Sequence, residues 1–166
     1  MSYHDHNPRH YLSDRKDWQL EANQVGTAGE ETFAVALAKH LPSHYTVHHQ
    51  PPKLVIYSGN RGIKLDSKVT NTLTGKSLYI ENKTGNNGGN AHERVYKFLS
   101  RPLQRKIQLE HNTPENPFFL VFSGKTFQGQ KYQDEIGLLL SDSNYAIMEP
   151  EHANIKEVAA KIMEIV

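Results

Sequence analysis

The sequence predicts a mixed α/β fold, a central sheet of mixed strand direction flanked by helices. Three observations predict it: a helical apolar repeat near residue 30, a group of short β-type runs between residues 44 and 83, and a strongly apolar strand at 117–124 set among helical stretches.

Taken in order, residues 1–17 are polar and read as an N-terminal arm, and residues 18–166 read as a single domain. In GTAGEETFAVALAKHL, Thr27 and Glu30 have the T-x-x-E spacing of a capping box. Phe33, Leu37 and Leu41, with Ala34 and Ala38 alongside, then repeat at helical period until Pro42 stops them. HYTVHHQ at 44–50, KLVIYS at 53–58, GIKLDSKV at 62–69 and KSLYIENK at 76–83 are β-branched or alternating runs. Pro-Pro, S-G-N-R-G and T-L-T-G separate them, so they read as a β-meander. A helical stretch follows from Asn90 to about Glu110, kinked or restarted at Pro102, whose nitrogen has no proton to donate. After the strand PFFLVFSG come a short helix near 133–141, a strand at YAIME and a terminal helix from about Pro150.

A chain of 166 residues can bury a core without staples. With no cysteine, disulfides and thiolate zinc sites are excluded and a cytoplasmic setting is expected. The longest apolar run, FFLVF at 118–122, is too short for a secretory or membrane-spanning segment, so no membrane partner is expected. The net charge of +1 hides an asymmetry: residues 61–106 hold ten Lys/Arg against three Asp/Glu, whereas 107–166 hold four against nine. A central basic segment suits a polyanion, and it is equally a solvated surface that leans positive.

The chemistry starts with Asp66 in one expected strand and Glu81 and Lys83 in the next. Adjacent antiparallel strands bring such positions together, and Glu81 and Lys83, two apart, project from one face. Two carboxylates and the backbone carbonyl of Asn82 make an oxygen cage suited to Mg²⁺, beside an ammonium able to hold an attacking water. An exposed Glu-x-Lys ion pair has the same pattern. In N-A-H-E-R at 90–94, Asn90 and Glu93 fit a helix N-terminus. Asn90, Glu93 and Arg94 also match the donors and acceptors of purine edges in a major groove, following a glycine-rich turn. His92 reads as an exposed helix-start histidine, and Tyr96 and Phe98 as helix packing. Glu30 and Glu31 read as solvated acids favoured at a helix start, with water-mediated support of a metal site as the other reading. His4-Asp5-His6, Arg9, Arg15 and Lys16 in the arm are weak candidates for metal or phosphate contact.

These residues carry a resemblance. GGNAHERVYK is similar to the recognition segment of the EcoRI/MunI-like type II restriction endonucleases, and PFFLVFSG resembles the strand that follows it there. Asp66 with Glu81-Asn82-Lys83 resembles the active site of the wider PD-(D/E)xK nuclease superfamily, in the order expected ahead of that segment. The resemblance covers roughly residues 62–124, with the helix at 27–41 in the place of the family's first core helix. It implies a restriction-endonuclease-like core, Mg²⁺ bound by Asp66 and Glu81, and Lys83 positioning the water. It also implies that Asn90, Ala91, Glu93 and Arg94 read double-stranded DNA. A homodimer cutting a palindrome with a central AATT and leaving 5′ overhangs follows from the same likeness. So does a separate cognate methyltransferase that protects host DNA without forming a complex.

The chain departs from the family pattern in three places. Leu65 stands where the superfamily name has proline, Asn82 is polar where an apolar residue is usual, and the six residues 84–89 make a shorter connection. Other readings are a DNA-binding module, a small nicking subunit of a heteromeric nuclease and a structure-selective repair nuclease. Intact Asp66, Glu81 and Lys83 favour an enzyme, because a pure binder gains nothing from carboxylates beside phosphates. The Asn90–Arg94 cluster favours selection by sequence.

Overall fold

The computed structural model describes residues 25–166 apart from Asn87 and Asn90, so the expected arm and its histidines and cations lie outside the described residues. Helix α1 (Val25–Lys39) leads into β1 (Tyr45–His49). The strands β1, β4 (Ser67–Asn71), β5 (Ser77–Thr84), β6 (Phe118–Ser123) and β7 (Asn144–Ile147) lie side by side in that order in one five-stranded sheet. The pairs β1–β4 and β4–β5 are antiparallel, β5–β6 and β6–β7 parallel, so the sheet is mixed as the sequence predicts. Parallel neighbours on both sides and helices on both faces explain why β6, FFLVFS, is almost continuously apolar and buried.

Each sheet face has its own core. On one, Phe33 and Leu37 of α1 and Val158 and Ile162 of α4 (Ile155–Ile165) pack on Val47, Val69, Leu78, Ile80, Phe119 and Val121. On the other, Tyr79, Phe118, Leu120 and Phe122 meet the 3₁₀ segment Ala91–Leu99, α2 (Arg101–Glu110) and α3 (Gln130–Leu139). The predicted helix from Asn90 to Glu110 is thus two elements. It restarts where the Ser100 side chain accepts the Leu103 N–H at 3.3 Å, with Pro102 in the first turn, where its missing N–H costs nothing.

The β-meander is corrected. β2 (Leu54–Val55) and β3 (Gly62–Ile63) form a separate two-stranded ribbon, and the run 62–69 is not one strand. Ile63 and Leu65 belong to the core with Tyr79, whereas Val69 belongs to the opposite core with Leu78. The chain therefore changes faces between Leu65 and Val69. The terminal helix begins as a short 3₁₀ turn at Pro150–His152 before α4. Among the described residues no helix is long and apolar enough to cross a membrane.

Candidate active site

The change of faces leaves Asp66 at the end of β4. Its backbone N–H donates to Ile80 O at 3.0 Å, and its carbonyl accepts the Gln50 N–H at 2.8 Å. The β4–β5 pairing ends at Ser67 opposite Ile80, while β5 continues against β6 as far as Thr84 opposite Ser123. Four residues of β5, Glu81 to Thr84, thus run on without a strand beside them on the β4 side. Asp66 fills the gap, its Oδ2 accepting the Asn82 N–H at 2.6 Å. A strand residue turns its N–H and C=O to the same side, so the Asn82 carbonyl also faces that gap.

Glu81 and Lys83 project from one face of β5, with Lys83 Nζ 3.2 Å from Glu81 Oε2. The Glu81 side chain is 12% exposed, unlike the surface ion pair that is the plain alternative for Glu-x-Lys. Burial first, then the charge of Asp66, pushes its carboxyl up to about 7, and Lys83 opposes the rise. Glu30 of α1 joins them. Burial, the Asp66 charge, hydrogen-bonding proximity to the Asp66 side chain and the Glu81 charge push Glu30 up to about 8, again against Lys83. The expectation of solvated helix-start acids is therefore wrong for both residues: Glu30 faces the cluster, and Glu31 is 1% exposed. Nor is Thr27–Glu30 a capping box at the helix start, because α1 already runs from Val25.

Three carboxyls offset by one ammonium form a hard, oxygen-rich and electronegative site. Buried Glu81 Oε1 has no hydrogen-bond partner, and this donor set fits a hard divalent cation. Behind it, a cavity of about 250 Å³ opens between α1 and the strand ends, lined by Glu30, Asn82, Thr84, Ser123, Met148 and His152.

The turn after β5 is stitched to the segment after β6. Gly85 N–H donates to Ser123 O at 2.9 Å, Thr126 N–H to Gly85 O at 2.8 Å and Gly88 N–H to Thr126 Oγ1 at 2.8 Å. The chain then enters the 3₁₀ segment at Ala91. Of the expected reading residues, Asn90 and the side chain of Ala91 lie outside the described residues, and Glu93 and Arg94 are adjacent and exposed. They stand on a different element from Asp66, Glu81 and Lys83.

His92 contradicts the expectation of exposure. It is 2% exposed, and its Nε2 lies 2.6 Å from Glu135 Oε1. Phe98 packs as expected, its ring centroid 4.7 Å from that of Phe118. The sequence pattern favoured the solvated reading of Glu30 over support of a metal site and gave no sign of the His92–Glu135 contact, since both depend on partners distant in the chain.

A family model described as type II restriction enzyme MunI matches residues 56–158, more than half of the chain. Among solved structures, the crystal structure of MunI restriction endonuclease in complex with cognate DNA is similar at a TM-score of 0.62 and 21% identity, over 93% of this chain and 92% of that one. At that identity the likeness is one of fold, and it agrees with the mixed sheet described above. No curated protein matches.

Proposed function

The chain belongs to the family of type II restriction enzymes typified by MunI, site-specific nucleases, and on that premise we propose its chemistry and target. It hydrolyses both strands of DNA at a palindrome with a central AATT, uses Mg²⁺, leaves 5′ overhangs and acts as a homodimer. The observation that carries the reading is the convergence of Asp66, Glu81 and Lys83 in the β4–β5 gap, directly ahead of the segment presenting Glu93 and Arg94. Duplex DNA as the ligand is supported by the MunI complex with cognate DNA and by the basic stretch 61–106.

Asp66, Glu81 and the Asn82 carbonyl would hold the metal, with Glu30 as a third carboxyl. When bound there, Mg²⁺ would supply charge neutralisation at the scissile phosphate. Lys83 Nζ, anchored on Glu81, offsets the carboxylates and holds the attacking water by hydrogen bonding. Glu93 and Arg94, with Asn90 and Ala91, meet base edges in the major groove. A separate methyltransferase acting on the same palindrome protects the host's DNA.

The test is incubation of the purified protein with a long DNA of known sequence, with Mg²⁺ or chelator, beside Glu81→Ala, followed by sequencing of the ends. Discrete Mg²⁺-dependent ends within AATT-containing palindromes, absent with Glu81→Ala, are expected. Random ends, or cleavage that survives both chelator and the substitution, would overturn the proposal. Sedimentation of the protein on a duplex carrying one site tests the dimer.

A further inference from the structure

His92 sits inside the stretch read above as the recognition segment, yet it points away from solvent. In a 3₁₀ helix, with three residues per turn, positions 92, 95 and 98 share one edge. His92, Val95 and Phe98 are 2%, 0% and 2% exposed, so this edge is the inward one. Glu93 and Arg94 therefore fall on the outward faces, and a rotation of the segment by one position would bury one of them. Val95 and Phe98 hold the register by packing. Polar bonds hold both ends of this edge: Gln104 Nε2 of α2 donates to Phe98 O at 2.7 Å, and at the first position, next to the glycine-rich turn, His92 Nε2 lies 2.6 Å from Glu135 Oε1 of α3.

The imidazole is caged as well as bonded. Tyr132, Phe127 and Tyr96 meet it edge-on, at centroid distances of 5.6, 6.2 and 6.3 Å and interplanar angles of 89°, 80° and 84°. Phe127 belongs to the segment already tied to the turn through the Thr126 N–H bond to Gly85 O. A side-chain oxygen of Glu93 lies within 4.8 Å of the His92 and Glu135 ligand atoms. The carboxylate offered for base reading thus lies beside the His92–Glu135 pair, so a change in that pair reaches it directly.

We propose that the His92–Glu135 contact is a specificity-determining positioning contact, which fixes the rotation of the 3₁₀ segment so that Glu93 and Arg94 point at the bases. This rests on the recognition-segment reading under Proposed function. In this reading His92 and Glu135 are positioning residues that act through Glu93 and Arg94.

The experiment compares cleavage of the site found by end sequencing with cleavage of duplexes altered at one base pair, for the full-length protein with Mg²⁺. His92→Leu fills the cage without the bond, and Glu135→Gln weakens it. Each should lower discrimination against altered sites roughly tenfold to a hundredfold, the scale of one well-made base contact. The single-turnover rate at saturating cognate DNA should change by less than about threefold, because the reacting groups are untouched. The double variant should be no worse than either single one. His92→Gln, which puts an amide N–H where Nε2 stood, should restore discrimination. That restoration, and an unmoved single-turnover rate, are readouts that a general loss of stability would not give. Full discrimination by a folded His92→Leu protein, while Glu93→Gln and Arg94→Gln lose it, would overturn this inference alone. If Glu93→Gln and Arg94→Gln discriminate normally, the recognition-segment reading falls and this inference with it.

Discussion

Replacing Glu30 by glutamine should stabilise the metal-free protein and weaken its response to Mg²⁺. In the folded chain Glu30 and Glu81 titrate at about 8 and about 7, against 4.5 for an ordinary glutamate. Between those limits the unfolded chain releases these protons and the folded chain keeps them. The unfolded state then binds fewer protons, and stability falls as pH rises. Below about pH 4.5 both states are protonated and the penalty vanishes. Each pH unit of displacement corresponds to about 1.4 kcal/mol, but Glu30 is partly open to water, and screening leaves a contribution on the order of 1–2 kcal/mol at pH 8. For a chain of this size that is a rise of roughly 2–8 °C in melting temperature for Glu30→Gln. The assay is thermal unfolding at pH 4.5 and pH 8, in chelator and in Mg²⁺. In chelator the variant should equal the wild type at pH 4.5 and exceed it at pH 8. In Mg²⁺ at pH 8 the order should reverse, because the wild type has one more carboxylate for the cation. An equal margin at both pH values, or none at pH 8, would show that burial and the charges of Asp66 and Glu81 do not raise the Glu30 carboxyl, and the reasoning would fail.

Other outcomes follow from the same geometry. Asp66→Asn keeps an oxygen to accept the Asn82 N–H, so its melting temperature in chelator should stay within a few degrees of wild type while Mg²⁺-dependent cleavage is lost. Lys83→Ala should slow single-turnover cleavage by about 10²–10⁴-fold and leave DNA binding in Ca²⁺, read by gel shift, nearly unchanged. Gly124 has φ of 100°, and a Cβ there would lie 2.5 Å from Gly85 O and 2.8 Å from Asn86 Oδ1. Gly124→Ala should therefore cost about 2–4 kcal/mol in denaturant unfolding and loosen the turn leading to Ala91.

The two-residue spacing of Glu81 and Lys83 was legible because a strand has period two, and both do share a face. The unbroken run at 62–69 hid the ribbon β2–β3 for the same reason. Ile63, Leu65, Ser67 and Val69 alternate perfectly, yet the chain changes sheet faces among them, and a period-two pattern carries no mark of such a crossing. Glu30 was read as half of a capping box because the signature is local, whereas its partner Asp66 is 36 positions away in the chain. His92 has no local signal of burial. The rings around it include Phe127 and Tyr132 from beyond β6, and their packing overrides the polarity of a segment start. The restart at Pro102 was readable because a proline in the first turn obeys a strictly local rule.

Asp66, Glu81 and Glu30 come from three places in the fold: the end of β4, the free half of β5 and the second turn of α1. No stretch of the unfolded chain holds them together. A cutting enzyme endangers the genome that encodes it, and here the third carboxyl of the cluster is in place only once α1 has docked on the sheet. Nascent chains, proteolytic fragments lacking α1 and thermally opened molecules all lack the assembled cluster. Folding itself is then a safety catch.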